Sequence, residues 1–335
     1  MFVKEFLKKA TNIHFSIIDD CNLKCAYCFE HGFFKKKANT FENFLKTLDI
    51  FPYVKSIWLW GGEPTMKMDL VKEILEYVEK RRPDLNILMS TNGTNPEIVK
   101  YFNDYDCFKG LQISIDGVKE CHDLMRNNSW DLAMETWNEA MNVAKRKRKK
   151  VMVNPVIHRK TLKYFIENMK FYQSILGSIY APVMDSINVE ELEEWWFSLS
   201  KSDKDFIRRN LISFRRGFKI CAAGQSVQFI DTDGKIWFCH GAKFTRKREN
   251  MKFWIGNLEN GIISWKPFFK SKRNPICDRC KVKYCRVCWF QGDCRLFLRF
   301  HELMFNEKPL DNPKIDKFDL WKMNLDEKME HYYEV

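Results

Sequence analysis

Residues 13–28 read Ile13-His-Phe-Ser-Ile-Ile18-Asp-Asp20-Cys21-Asn-Leu-Lys-Cys25-Ala-Tyr27-Cys28, a β-rich run that empties into three cysteines on one short loop. Three soft ligands so close together can hold three irons of a cubane cluster and leave the fourth iron open to a substrate or cofactor. A structural zinc site would need a fourth ligand, for which His31 is available. The trio alone leaves both readings standing.

Working outward, further β-rich runs occupy 56–60, 86–90, 111–115 and 151–157, with a weaker one at 179–183. Between them, 69–82 and 130–147 carry apolar residues at three- and four-residue spacing, which predicts amphipathic helices. Pro83 closes one helix, and Asn95-Pro96 opens another. Strand–helix alternation predicts a parallel sheet with crossover helices, an α/β fold. Three distinctive loops follow its strands: Gly61-Gly62-Glu63-Pro64, Ser90-Thr-Asn92-Gly and Ser114-Ile-Asp116-Gly. Ligands of parallel α/β folds sit beyond the carboxyl ends of the strands, so all three loops point at one site.

The Cys-x3-Cys-x2-Cys spacing, with Tyr27 before the last cysteine, resembles the radical S-adenosylmethionine (SAM) enzymes. Gly61-Gly62-Glu63-Pro64 resembles their glycine-rich motif for the methionyl amino group, and the other two loops follow in the family's order. The resemblance implies a partial (β/α)6 TIM-like barrel with a 4Fe–4S cluster held by Cys21, Cys25 and Cys28 at its open top. It implies SAM contacts from Tyr27, Gly61, Gly62, Glu63 and Pro64, and from Ser90, Asn92, Ser114 and Asp116 toward the ribose and methionyl groups. Arg126, in His122-Asp-Leu-Met-Arg126, matches a stretch whose arginine pairs the methionyl carboxylate, a natural task for a guanidinium. Physically, glycines let backbone approach a cofactor, and Glu63 can accept from an ammonium.

Seven cysteines fall later, at Cys221, Cys239, Cys277, Cys280, Cys285, Cys288 and Cys294. With the Gly256-Asn257 pair they resemble the SPASM extension and its auxiliary iron–sulfur clusters, although four and two residues stand where the family has five and three. By that resemblance Cys277, Cys280, Cys285 and Cys294 would hold one 4Fe–4S cluster, and Cys221, Cys239 and Cys288 the other. A zinc ribbon separates its two knuckles by roughly 15–20 residues, far more than here. Cys107 and Cys121 fit neither set and read as small buried hydrophobes. The expected organisation is a radical SAM barrel over 1–200, a cysteine-rich cluster domain over 201–305 and a tail over 306–335.

Composition limits the alternatives. The 335 residues are 45% hydrophobic and 30% charged, which excludes a disordered or fibrous chain. No apolar run approaches the roughly 18 residues of a membrane-spanning helix. Twelve cysteines without an export signal point to metal, cluster or thiol chemistry in a reducing cytoplasm rather than to disulfides.

The implied reaction is reductive cleavage of SAM to a 5′-deoxyadenosyl radical, followed by oxidative modification of a peptide or protein by C–H abstraction. Crosslink or ring formation is the favoured outcome, with a flavodoxin- or ferredoxin-type electron donor. The sulfatase-maturing branch carries an acid beside the cysteine matching Cys239. His240 stands there instead, as a base, a fourth ligand or a structural residue. Only 20 residues precede Cys21, so no leader-binding domain is expected ahead of the barrel.

The formal charge of +12 suits an acidic peptide. Basic runs at 243–252 and 266–273, interleaved with aromatics, would equally suit a nucleic acid, whereas 145–150 follows an amphipathic helix, precedes a strand and reads as a solvated helix end. A base-modifying radical enzyme and a small-molecule radical dehydrogenase are therefore the alternatives. A non-enzymatic cluster or zinc module has no use for the glycine-rich loops.

Overall fold

The computed structural model describes residues 9–28, 30, 35–176, 183–185, 187–210, 227–237, 254–262, 299 and 302–304. The chain divides into two compact units, Met1–Ile157 with Ala222–Trp265 and His158–Cys221 with Lys266–Val335. None of the three breaks coincides with the expected boundaries at 200 and 305.

The first unit is built on parallel strands β1 (Asn12–Ile18), β2 (Ser56–Gly61), β3 (Asn86–Thr91), β4 (Phe108–Ile113) and β5 (Lys150–Val153), each paired with the next. Helices α1 (Phe41–Ile50), α2 (Met68–Arg81), α3 (Ile98–Asp104), α4 (Lys119–Met125) and α5 (Trp130–Lys147) make the crossovers. Alternation explains the layering. Ile13, Phe15 and Ile17 of β1, Ile57 and Leu59 of β2, and Ile87 and Met89 of β3 are fully buried. The facing helices supply Leu70, Val71, Ile74, Leu75 and Val78 from α2, and Ala133, Trp137, Ala140 and Val143 from α5, at helical spacing. Cys107 and Cys121 are buried in this unit, as their reading as small hydrophobes expects.

The far edge of β1 would expose a row of unpaired backbone groups. Strand β8 (Val227–Ile230) covers it in parallel, and β9 (Lys235–Trp237), β10 (Trp254–Asn257) and β11 (Gly261–Ile262) continue antiparallel, giving a nine-stranded sheet. The region after residue 200 thus contributes strands to the first unit, which is why the break does not fall there. Asp231 organises the turn between β8 and β9. Its carboxylate accepts from Asp233 N, Lys235 N and the Trp237 indole, while Gly234 takes φ +72°.

The run expected at 151–157 breaks into β5 and β6 (Val156–His158). Pro155 has no N–H to offer a ladder, and the Val156 N–H donates to the Asp116 carboxylate instead (3.1 Å). Of the weak strand expected at 179–183, residues 179–182 lie outside the described residues, and a short strand, β7 (Val183–Asp185), begins at its last position. In the second unit, α6 (Phe165–Leu176) precedes α7 (Val189–Ser198) and α8 (Lys201–Asn210). Asn188 and Glu191 form a reciprocal capping box at the start of α7.

Candidate active site

Strands β1 to β4 are consecutive neighbours, so the loops after their carboxyl ends share one edge of the sheet. The cysteine loop follows β1. Its three cysteines are in no disulfide and are partly exposed, with Leu23 N donating to Cys21 Sγ (3.4 Å) and Cys28 N to the Cys25 carbonyl (3.1 Å). Burial pushes the Cys21 thiol up to about 12. Burial also raises the Cys25 thiol, although the neighbouring Arg126 guanidinium works the other way. Ligation to a metal must therefore displace protons from these groups.

The glycines answer to the chain's own backbone. A Cβ on Gly61 would lie 2.4 Å from the Ile18 carbonyl oxygen, and one on Gly62 would lie 2.0 Å from that of Asp20. Gly61 also sits at φ +143°. This close approach lets Gly62 N donate to Ile18 O (2.9 Å) and Glu63 N to Asp20 O (2.8 Å), which fixes the step into Cys21. Pro64 is buried at the start of a 3₁₀ turn, Pro64–Lys67.

Glu63 is 1% exposed and binds neighbouring loops together. Its Oε1 accepts from Thr65 N (3.1 Å), Thr65 Oγ1 (2.7 Å) and Thr91 Oγ1 (2.7 Å), and its Oε2 from Asn92 N (2.6 Å). Burial raises the Glu63 carboxyl pKa, and these four donors oppose the rise. Asn92 in turn donates to Asn22 Oδ1 (2.8 Å) and accepts from Thr94 N and Oγ1. Ser90 Oγ lies between the Trp58 indole, which donates to it (2.7 Å), and Gln112 Oε1, to which it donates (2.8 Å). Ser114 N donates to the Thr91 carbonyl (3.0 Å).

Asp116 and Arg126 form a buried ion pair, Nε to Oδ2 at 2.8 Å. The Tyr27 hydroxyl donates to the same Oδ2, and the Arg126 guanidinium lies over the Tyr27 ring at 5.4 Å. Arg126 Nη1 reaches 3.9 Å from Cys25 Sγ. Thus Tyr27, Asp116 and Arg126 are brought together beside the cysteine loop, with Asp116 engaged wholly by protein donors.

Cys221, Cys239, His240, Cys277, Cys280, Cys285, Cys288 and Cys294 lie outside the described residues, as does His31. So do the basic segments 243–252 and 266–273. The third basic run, 145–150, closes α5 and leads into the amino end of β5, the edge opposite the cysteine loop. There Lys149 Nζ caps the Tyr105 carbonyl (2.7 Å), while Lys145 to Arg148 are exposed.

Several site residues carry no motif signal. Asn22, Thr94 and Asn127 enter through hydrogen bonds that cross long sequence separations, such as Lys24 N donating to Asn127 Oδ1. Ser129 enters through local bonds to His122 and to the Arg126 carbonyl, and the contacts of His122 are likewise set by the fold.

The donor set fits an iron–sulfur cluster with SAM. It offers three thiols from one loop, a guanidinium with its far end toward them, and glycines that bring the next loop alongside. Among the described residues no three His, Cys, Asp or Glu side chains converge on a single metal ion. A cubane asks for none, because each thiolate binds a different iron.

The profile of the radical SAM superfamily matches residues 15–172, the span that holds all four loops. Residues 15–172 are a radical SAM domain. Over 230 residues the chain is 28% identical to the cysteine-type anaerobic sulfatase-maturating enzyme of Clostridium novyi, covering 58% of this chain and 60% of that protein. The match therefore spans less than two thirds of that relative's length. The enzyme of the same name from Clostridium perfringens is 26% identical over 340 residues, covering 82% of this chain and 86% of that one. Among solved structures, native anSMEcpe with bound AdoMet aligns at TM-score 0.61 and 16% identity, covering 88% and 97% of the two chains. Streptococcus suis SuiB bound to its precursor peptide SuiA aligns at TM-score 0.56 and 16% identity, covering 82% and 70%. These likenesses establish the shared fold of the radical SAM domain.

Proposed function

We propose that this chain is a radical SAM enzyme that oxidatively modifies a peptide or protein. The observation that carries the reading is the cysteine loop held against the Asp116–Arg126 pair at the carboxyl edge of the sheet. Cys21, Cys25 and Cys28 would ligate a 4Fe–4S cluster. When bound and reduced, that cluster with SAM supplies a 5′-deoxyadenosyl radical that abstracts hydrogen from an unactivated C–H.

The chain's part is orientation and exclusion. Asp116 takes the Nε side of Arg126, which leaves the terminal nitrogens for the methionyl carboxylate. Glu63 Oε2 carries one protein donor among the described residues and keeps acceptor capacity for the methionyl ammonium. The Gly61-Gly62 step and the Asn22–Asn92 contact fix the walls around that position.

A peptide substrate is supported by the names of the relatives, sulfatase-maturating enzymes, and by the peptides bound in the anSMEcpe and SuiB structures. The exposed basic run is on the edge away from the cysteine loop, which leaves a nucleic-acid reading without support from it. We extend the proposal to two auxiliary clusters on the seven later cysteines, within the 201–305 region, and to a flavodoxin- or ferredoxin-type donor.

The test is isolation of the chain from its native host followed by mass spectrometry of what co-purifies. A peptide lighter by about two hydrogens than its encoded mass is expected for an oxidative crosslink or ring. Co-purification of nucleic acid with a steep salt dependence would contradict the peptide assignment.

A further inference from the structure

The cysteine loop is gripped from the side of α4 by a turn whose two asparagines, Asn127 and Asn128, lie just beyond the arginine stretch. Met125 O accepts from Ala26 N (3.0 Å), and Asn127 Oδ1 accepts from Lys24 N (2.9 Å) across 103 positions. Lys24 directly precedes Cys25, so a bond that fixes the Lys24 amide restrains the backbone from which the Cys25 side chain leaves the loop. Asn127 adopts φ +54°, a left-handed conformation that asparagine tolerates better than other non-glycine residues. Asn128 follows at φ +54°.

The turn is anchored without help from the loop. Asp123 accepts from Asn128 N through its carbonyl (3.3 Å) and from Trp130 N through its carboxylate (2.9 Å). Arg126 N donates to His122 O (2.8 Å), and Ser129 Oγ donates to Arg126 O (2.7 Å). A fixed turn therefore presents two acceptors, the Met125 carbonyl and the Asn127 side-chain oxygen, to a loop that must order three thiols.

We propose that Asn127 is a positioning residue for the cluster: its left-handed backbone aims the side-chain oxygen at Lys24 N–H and so presets Cys25 for iron. This role rests on the radical SAM reading above, in which Cys25 is a cluster ligand.

Three variants of the full chain separate backbone from side chain. Asn127→Gly keeps the left-handed turn and loses the acceptor, Asn127→Asp keeps both, and Asn127→Ala favours neither. The readouts are hydrogen exchange at the Lys24 amide and the rate at which a chelator removes the SAM-responsive electron paramagnetic resonance signal of the reduced, reconstituted protein. The Gly and Ala variants should exchange that amide about five-fold faster, the size of one net hydrogen bond, and should lose the signal faster. The Asp variant should match the wild type in both. An Asn127→Gly protein equal to wild type overturns the proposal, because the turn alone would then suffice. An Asn127→Asp protein as impaired as Asn127→Gly also overturns it. A wild-type chain that never gives the SAM-responsive signal contradicts the function itself and removes this role with it. A wild-type chain that gives the signal, beside an unaffected Gly variant, removes only the role of Asn127.

Discussion

At the scale of single residues, His122 carries a pH dependence. It is fully buried, its Nδ1 accepts from Asp116 N (3.3 Å), and its Nε2 lies 3.0 Å from Ser129 Oγ, whose own proton goes to Arg126 O. Those partners define a neutral ring with the proton on Nε2. Burial pushes its pKa from 6.5 down to about 4. Because the folded value is the lower one, the unfolded chain binds the extra proton between pH 6.5 and about 4. The stability His122 contributes is therefore complete above pH 6.5 and is lost as the pH falls through about 4. A denaturant series against pH should show wild-type stability falling across that window. His122→Gln should remove up to about 1.4 kcal/mol per pH unit of that slope, the value for one proton. An unchanged slope would mean that the ring is not held neutral. Cysteine spacing and the arginine stretch were legible at this scale. The partners of Glu63 and Ser90 were not, because hydrogen bonds over tens of residues leave no spacing to read, and those of His122, six and seven residues away, follow from the fold of the loops on either side of α4.

At the scale of elements, four loops after four strands were placed by alternation alone, and they do share one edge of the sheet. Chain-to-chain proximity was not legible. The glycine pair reads as room for a cofactor, yet its missing side chains first admit the Ile18 and Asp20 carbonyls. Gly62→Ala should accordingly cost roughly 2–4 kcal/mol, because rigid backbone must move, and it should misdirect the step into Cys21. Chemical denaturation together with iron content after reconstitution checks this. Native stability and a full complement of iron would show that the loop yields to a methyl group. The split of the expected strand at Pro155 belongs here too. The proline was visible, but the Asp116 carboxylate that takes the next N–H lies 40 residues away.

At the scale of the whole molecule, the class of fold followed from the strand–helix alternation, whereas the division of the chain did not. Composition changes after residue 200, but β8 to β11 complete the first unit's sheet because β1 needs a neighbour. The net charge of +12 was a similar half-guide. Its longest run caps helix ends at the amino edge of β5, where Lys145, Arg146 and Lys147 complement the α5 dipole. Among the described residues no helix is long and apolar enough to cross a membrane. The proposed function rests on reductive SAM cleavage at the Cys21, Cys25 and Cys28 loop. The direct measurement is 5′-deoxyadenosine released by the anaerobically reconstituted protein given dithionite and SAM. Release by the wild type and none by Cys25→Ala is expected; equal release by both, or none by either, would overturn the proposed function.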